Sequence, residues 1–500
     1  MVRCFRSVRA SAVVAIGVFI VACTTDPPLT ASHDFSKARH IFSVEFPFPA
    51  PERMVRQLLG MQGSPAAVVP GDPDIVQSYK TYNFEMVRVP QDDFCTYTLE
   101  GIFQDPDAPE SDVSSYEFGN IDRLLEGIVE ADSKIMWQGN YDLGIADGCG
   151  ETDGRHSGAV LRDPTKYVNV VNNVLRHFNE GKSEWDPDGR KFGIEYVEFV
   201  NDPMGLGGYS LSNFDEFLEH FQVFSLGIRA AAFGGGASKI TRIVGPAHRI
   251  RSWPIGRIGE KEFLYDFIDL VADQSIALDV FSLQLRFDNP YELARAVDDI
   301  RDYLDDRALV EIPIWVTEIA PSPETEAALR DAPGDAYERF VGAHLVAAKI
   351  AWQETAVRAF PHRGTRRLDG GSAGIIESPF FDADGNERGG LLGFTAFQSF
   401  DDEVILKGSA VTSDGVALLA SRSQKNNMIS VLASYPGTND SKQSLLVPII
   451  LNGIPEDITE IEWEFSKPSE SEEINALCIA GDFCFRDFNK FGFKDASGLL

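Results

Sequence analysis

The sequence predicts a (β/α)8, or TIM, barrel followed by an antiparallel, sandwich-like β region. Three observations carry that expectation. Eight short β-prone runs recur between residues 40 and 361, helix-length segments separate most of them, and near residue 396 the pattern changes to short strands joined by DG, NN, PG and NG turns. Strands that alternate with helices build parallel sheets, whereas closely spaced strands with tight turns build antiparallel ones. A doubly wound open sheet shares the alternation. However, no Gly-rich nucleotide loop follows the first run, and GGGAS at 234–238 fits neither GxGxxG nor GxxxxGK[ST].

The strand candidates in chain order are HIFSVEF, NFEMVRV, SKIMWQGN, IEYVEFVN, ITRIVGPA, IALDVFSLQL, PIWVTEI and AVRAFP. Each is rich in β-branched and aromatic residues that suit a covered sheet. Between them NIDRLLEGIVEA, YVNVVNNVLRHF, LSNFDEFLEHFQVFSLGIRAAA, ELARAVDDIRDYLDD and AYERFVGAHLVAAKIAWQ place apolar residues at helical spacing. Beyond them EVILKGSAV, VALLASRS, MISVLASY, SLLVPIIL and ITEIEWEF form the second, β-only region. The expected division is a leader over 1–22, a tether over 23–36, the barrel over 37–395 and the accessory β region over 396–500.

The leader expectation rests on the first 23 residues. Arg3, Arg6 and Arg9 precede SAVVAIGVFIVA, an apolar run too short for a confident membrane span and suited to export. It closes on IVAC, which resembles a bacterial lipobox and makes Cys23 the candidate lipidation site; Thr24 and Thr25, with no Asp directly after Cys23, favour the outer membrane by resemblance to sorting signals. Ordinary secretion with cleavage nearby is the alternative. The mature chain is then expected to be a soluble domain on a lipid anchor in the cell envelope.

Of the 500 residues, 45 are Lys or Arg and 76 are Asp or Glu, a formal net charge of -31. That sign disfavours nonspecific attraction to nucleic acid or anionic lipid. Apart from Cys4 and Cys23, four cysteines remain, and proximity favours Cys478 with Cys484 and Cys95 with Cys149 in an oxidising compartment. Their spacings lack paired CxxC units or nearby histidines, and no metal or other cofactor is expected.

Two acids draw the reading toward chemistry. Glu318 sits almost at the end of IWVTEIA, a run whose covered setting makes an ionised acid costly without a partner or polar pocket. Asp202 follows the strand-like YVEFV in the turn Asn201-Asp202-Pro203. In a barrel the C-terminal ends of strands converge on one face, which brings the two acids together despite their separation in sequence. Two carboxylates across a sugar bond permit acid catalysis on one side and attack on the other. Taken singly, the first is also what a strand reaching water looks like, and the second is an ordinary Asn-Asp-Pro turn.

With NFEMVRVP, YVEFVNDP, TRIVGPA, PIWVTEIA and the late GFTAFQSF in view, the chain resembles the clan of (β/α)8 glycoside hydrolases whose acids follow strands four and seven. Within it the likeness is to family 39, which holds β-xylosidases and α-L-iduronidases, and it spans about residues 37 to 490. The resemblance implies a retaining, exo-acting glycosidase with Glu318 as nucleophile, Asp202 as acid/base and Asn201 as a donor to the sugar beside the scissile bond. The family's NEP is NDP here. Aspartate is one methylene shorter, so its carboxylate falls about 1 to 1.5 Å short unless the turn moves inward. An inverting or endo-acting hydrolase and a noncatalytic carbohydrate-binding protein therefore stand as alternatives.

Further candidates surround this pair. Arg88 is suited to hold a strand-end acid through a charge-assisted fork. Trp137 and Gln138 are candidates to stack on and hydrogen-bond a sugar, with a core role for Trp137 as the alternative. Gln284 lies on the sixth strand candidate, within reach of the cleft. His362, Arg363, Arg366 and Arg367 in AFPHRGTRRL form a local positive patch for an anionic sugar or for neighbouring acids. FDADGNERGG departs from an EF-hand loop and reads as a solvated turn.

Overall fold

The computed structural model describes residues 59–66, 74–89, 98–105, 107–139, 163–181, 191–200, 202–203, 214–233, 241–250, 260–331, 336–353, 355–362, 378–382 and 384–397, with shorter stretches elsewhere. Its centre is an eight-stranded parallel sheet in strict sequence order. The strands are β1 (Met61–Gln62), β2 (Met86–Val89), β3 (Lys134–Gln138), β4 (Tyr196–Glu198), β5 (Arg242–Ile250), β6 (Val280–Arg286), β7 (Ile314–Ala320) and β8 (Ala356–Pro361). A parallel bridge between Leu59 and Ala359 brings the first strand to the last and all but closes the barrel. The Gly60 N–H donates to the Ala359 carbonyl at 2.7 Å across this seam. A side chain would not fit there, because a Cβ on Gly60 would lie 2.5 Å from Phe360 Cε1 and 2.8 Å from the Met86 carbonyl oxygen.

The first strand differs from the expectation. HIFSVEF was expected to open the barrel, but Phe42–Glu45 pairs with Leu445–Asn452 in another sheet. The strand that does open it is two residues long and bounded by Gly60 and Gly63, too short to show any alternation.

Helices α1 (Val76–Tyr82), α2 (Gly119–Glu130), α3 (Pro164–Asn179), α4 (Phe214–Phe233), α5 (Glu260–Gln274), α6 (Pro290–Asp306), α7 (Pro323–Arg330) and α8 (Ala336–Ala351) lie between the strands. Three of them begin where a polar cap precedes proline. Asp163 accepts from the Thr165 and Lys166 N–H groups, Asn289 from Tyr291 and Ser322 from Thr325, each one residue before a proline that is preset for the first turn.

Alternation along the strands divides the protein's interior in two. Outward residues such as Ile135, Trp137, Val197, Phe281, Leu283, Ile314 and Val316 join the large core beneath the helices. Inward, Met86, Met136, Tyr196, Val244, Val280, Trp315 and Phe360 form an apolar floor. Above that floor the inward positions nearer the strand ends turn polar, with Gln62, Arg88, Gln138, Glu198, Gln284 and Glu318 all buried. The polar inward groups are thus gathered toward the C-terminal mouth of the barrel.

After residue 396 the expected antiparallel pattern is present only in part, since Leu445–Asn452 and Glu460–Ser466 pair in parallel with strands from the first 45 residues. Glu403–Ile405 and Ala410–Val411 pair with Ala417–Ser423, which pairs with Ile429–Ser434, all antiparallel. These strands share a core with α8, in which Ala343, Val346, Ala347 and Ile350 meet Phe397, Ala417, Leu419 and Leu432. Phe5–Val13 and Ile16–Ala22, within the segment read as a leader, lie as strands beside Ile429–Ser434, Glu460–Ser466 and Leu445–Asn452, an arrangement open only to a chain that keeps them. The proposed lipidation site, Cys23, falls outside the described residues, as do Cys95 and Cys149. Cys478 and Cys484 stand opposite each other in an antiparallel pair. No described helix is long and apolar enough to cross a membrane.

Candidate active site

Glu318 faces the barrel interior because β7 departs from regular register. From the inward Trp315, strict alternation would turn 317 inward and 318 outward. Against β6, however, Val316 stands opposite Leu283 and Glu318 opposite Gln284, so two steps on β7 match one on β6. The extra residue, Thr317, donates its hydroxyl to the Leu283 carbonyl at 3.2 Å. Strand β5 does the same at the same level: Pro246 pairs with Ser282 and His248 with Leu283, leaving Ala247 as the additional residue. His248 is thereby turned outward onto Phe263 of α5, while Arg249 comes to lie beside Gln284 and points inward. These are β-bulges, and both re-aim a charged side chain into the mouth.

The result is a compact charged cluster. Glu318 Oε1 lies 3.3 Å from Arg249 Nη2, 3.1 Å from Arg286 Nη2, 3.2 Å from Arg286 Nε and 3.1 Å from His362 Nδ1. Its other oxygen, Oε2, has no hydrogen-bond partner among the described residues. Arg249 reaches in the other direction as well, with Nη1 3.1 Å from Asp202 Oδ2, while its Nε donates to Gln284 Oε1 at 3.0 Å. One guanidinium thus joins the two acids nominated from sequence. Glu318 is fully buried, whereas the side chains of Arg249, Arg286 and His362 are 15%, 13% and 12% exposed, so these partners lie between the acid and water.

Burial alone would raise the Glu318 carboxyl above its ordinary range. It is overcome by the charges of His362 and Arg249, the His362 hydrogen bond and the charge of Arg286, which together hold the group well below the usual carboxylate value. Glu318 is therefore ionised across the working range of most enzymes. Removing one partner from such a buried set costs about 3–5 kcal/mol, because it strands the opposite charge.

Asp202 lies in the turn after β4, 1% exposed. Its backbone is left-handed, with φ +42°, and its N–H donates to the Ala247 carbonyl at 3.1 Å. The turn that carries the shorter acid is thus tied to the β5 bulge.

The remaining candidates fall into four groups. Gln284 and His362 belong to the cluster. Arg88 forks a strand-end acid, but that acid is Glu198, reached by Nε at 3.0 Å and Nη2 at 2.5 Å with both side chains fully buried. Gln138 is buried opposite Glu198 on β3. Trp137, read as a sugar-stacking candidate, is turned the other way, since its neighbours on either side point inward. Its ring packs against Phe178 of α3 at 5.7 Å, and its indole N–H has no partner among the described residues. Asn201, Arg363, Arg366 and Arg367 lie outside the described residues.

Sequence reasoning missed Arg249, Arg286, Glu198 and Glu326. Arg286 follows Gln284 at period two and was legible from FSLQLR. Arg249 was not, because its inward aim depends on a bulge that the residue pattern does not announce. Glu326 on α7 lies 3.6 Å from Arg286 Nη1 and accepts from Arg330 and Tyr337, steadying Arg286 on its far side. In FDADGNERGG, Asp382 accepts from the Asp384 and Asn386 backbones and from the Asn386 side chain, a self-contained turn. Among the described residues no group of His, Cys, Asp and Glu is arranged to hold a metal ion.

No protein-family model matches the chain, and no curated protein matches it in sequence. Solved structures do share its fold. A glucosidase from Croceicoccus marinus is 21% identical with a TM-score of 0.57, over 79% of this chain and 78% of that one. An α-L-arabinofuranosidase from Thermotoga maritima is 12% identical at 0.51, over 82% and 88% of the two chains. A monomeric β-xylosidase from Caulobacter crescentus is 12% identical at 0.50, over 81% and 79%. At these identities the likeness is one of fold.

Proposed function

We propose that this protein is a glycoside hydrolase acting on β-linked sugars, with Glu318 as nucleophile and Asp202 as acid/base. The observation that carries the reading is the pairing of a buried, ionised Glu318 with Asp202 across one guanidinium at the mouth of a barrel shared with glycosidases. In the retaining cycle Asp202 donates a proton to the departing oxygen while Glu318 attacks the anomeric carbon, and a water activated by Asp202 then releases the sugar. Oε2 is the oxygen suited to attack, since Oε1 is occupied by two guanidinium groups and the His362 ring. Family 39 membership, exo-action, Asn201 as a sugar donor and a role for Arg363 at the rim belong to the same proposal, as do the leader, the lipid anchor at Cys23 and both disulfides.

Hydrolysis of a glycan library, with NMR of the first product's anomeric configuration, tests it. Net retention supports the covalent route and initial inversion overturns it. Absence of cleavage on neutral and acidic glycans, with binding retained, favours a carbohydrate-binding protein. Mass spectrometry of the purified envelope form tests the anchor, which predicts a lipid-modified Cys23 as first residue and its loss in Cys23→Ala.

A further inference from the structure

Among the described non-glycine residues, six have a left-handed backbone: Asn83, Asp132, Asp202, Ala247, Ser275 and Ala308. Four of them follow the C-terminal ends of α1, α2, α5 and α6, where that conformation is the ordinary way to end a helix. Asp202 and Ala247 end no helix, and they are hydrogen-bonded to each other through the Asp202 N–H and the Ala247 carbonyl. Backbone held in a disfavoured region away from helix ends clusters at functional sites. The Ala247 N–H is held in turn by Ser282 Oγ on β6 at 2.9 Å.

From these contacts we infer that the extra residue in β5, Ala247, is the device that assembles the acid pair, and that Arg249, turned inward by it, is the positioning residue that couples Asp202 to Glu318. One inserted residue does two things. Its carbonyl draws in the turn that carries the shorter acid, and its presence reverses the side-chain parity of everything after it on β5. Were Ala247 instead accommodated in regular alternation, His248 would face the interior and Arg249 would face the helices, on the side of Ile243. Arg249 faces Asp202 and Glu318; Glu318 also faces Arg286 and His362; Arg286 is answered by Glu326; and Glu198, inward on β4, is paired with Arg88. Among the described residues the arginine is therefore a contact that spans both acids.

The inference deepens the glycosidase reading, and its test separates the two. In Arg249→Gln, kcat falls by about a hundredfold and both limbs of the kcat/KM pH profile move upward by about one unit, since a cation shared by both acids is gone. Ser282→Ala gives a smaller loss and a shift in the same direction, which Ser282→Thr reverses. In the Arg249→Gln background, Ser282→Ala then changes the rate less than twofold, the signature of a residue acting through another. If Arg249→Gln does not fold, Arg249→Lys carries the test: the charge is kept but one ammonium replaces the two nitrogens that reach the two acids, so kcat falls about tenfold while the pH limbs stay in place, and an unchanged kcat overturns the inference.

A second readout needs no turnover. Carbodiimide labelling of the two carboxyls against pH, mapped by peptide mass spectrometry, shows both midpoints rising together in Arg249→Gln. Additive effects of the two substitutions, or unmoved midpoints, overturn the inference even if the wild-type chain hydrolyses glycans. Midpoints that shift together in a chain that cleaves nothing support the coupling and remove the glycosidase reading instead.

Discussion

Glu318 stands opposite Gln284, one step past the register that Val316 keeps with Leu283, and that single slip turns its carboxylate from the helix layer into the barrel mouth. Glu318→Gln keeps the shape and removes the charge. The expected result is loss of glycoside cleavage by at least about a thousandfold, since a nucleophile is lost. Stability should fall by about 3 kcal/mol, because Arg249 and Arg286 lose their common counter-charge. Steady-state kinetics and urea unfolding measure the two; a folded variant at full activity would exclude Glu318 from the chemistry.

Arg88 and Glu198 form an ion pair of the barrel interior with neither side chain exposed. Either Arg88→Met or Glu198→Leu alone should destabilise the protein by about 3–5 kcal/mol, and the double variant by much less, because the cost is that of an orphaned buried charge. A double-mutant cycle in denaturant checks this. Additivity of the two losses would show that the pair carries no mutual energy.

His344 on α8 is buried, and its Nε2 lies 2.7 Å from the Phe287 carbonyl, next in chain to Arg286. Burial pushes the imidazole down to about 4 from 6.5. The unfolded chain thus binds a proton in this interval that the folded one refuses, so stability is lost as pH falls from about 6.5 to 4, by about 3 kcal/mol in all. Glu318 adds a loss at lower pH, since a carboxyl depressed by folding contributes above its ordinary value and loses that contribution as pH falls through the folded one. Unfolding free energies measured from pH 7 to 4 should flatten in His344→Gln.

Gly60 at the barrel seam offers the most local test. Ala at this position meets Phe360 and the Met86 carbonyl inside normal contact distance, so Gly60→Ala should cost about 1–3 kcal/mol through overpacking. The melting temperature reports it, and an unchanged value would mean that the seam yields freely.

What the residues alone conveyed follows from period. Strand and helix patterns are repetitive, so the barrel could be read from them, and acids after strands four and seven are placed by topology rather than by detail. Two kinds of feature escaped. The first strand, Met61–Gln62, is too short to have a period, and HIFSVEF drew the assignment to itself. The bulges at Ala247 and Thr317 add one residue each, and a one-residue insertion leaves composition untouched while inverting the facing of all that follows. Trp137 shows the converse: regular alternation was enough to place it outward, beside the inward Gln138.

The apolar face that α8 offers to the antiparallel strands also limits how this gene product can be divided. A chain cut at 395 would keep the barrel's strands and both acids yet uncover Ala343, Val346, Ala347 and Ile350 along one helix. It would also lose the bond from Ser434 Oγ to the Ala343 carbonyl. An exposed stripe of that kind drives association between molecules. The strands beyond residue 396 that pack on this helix thus serve as its outer coat.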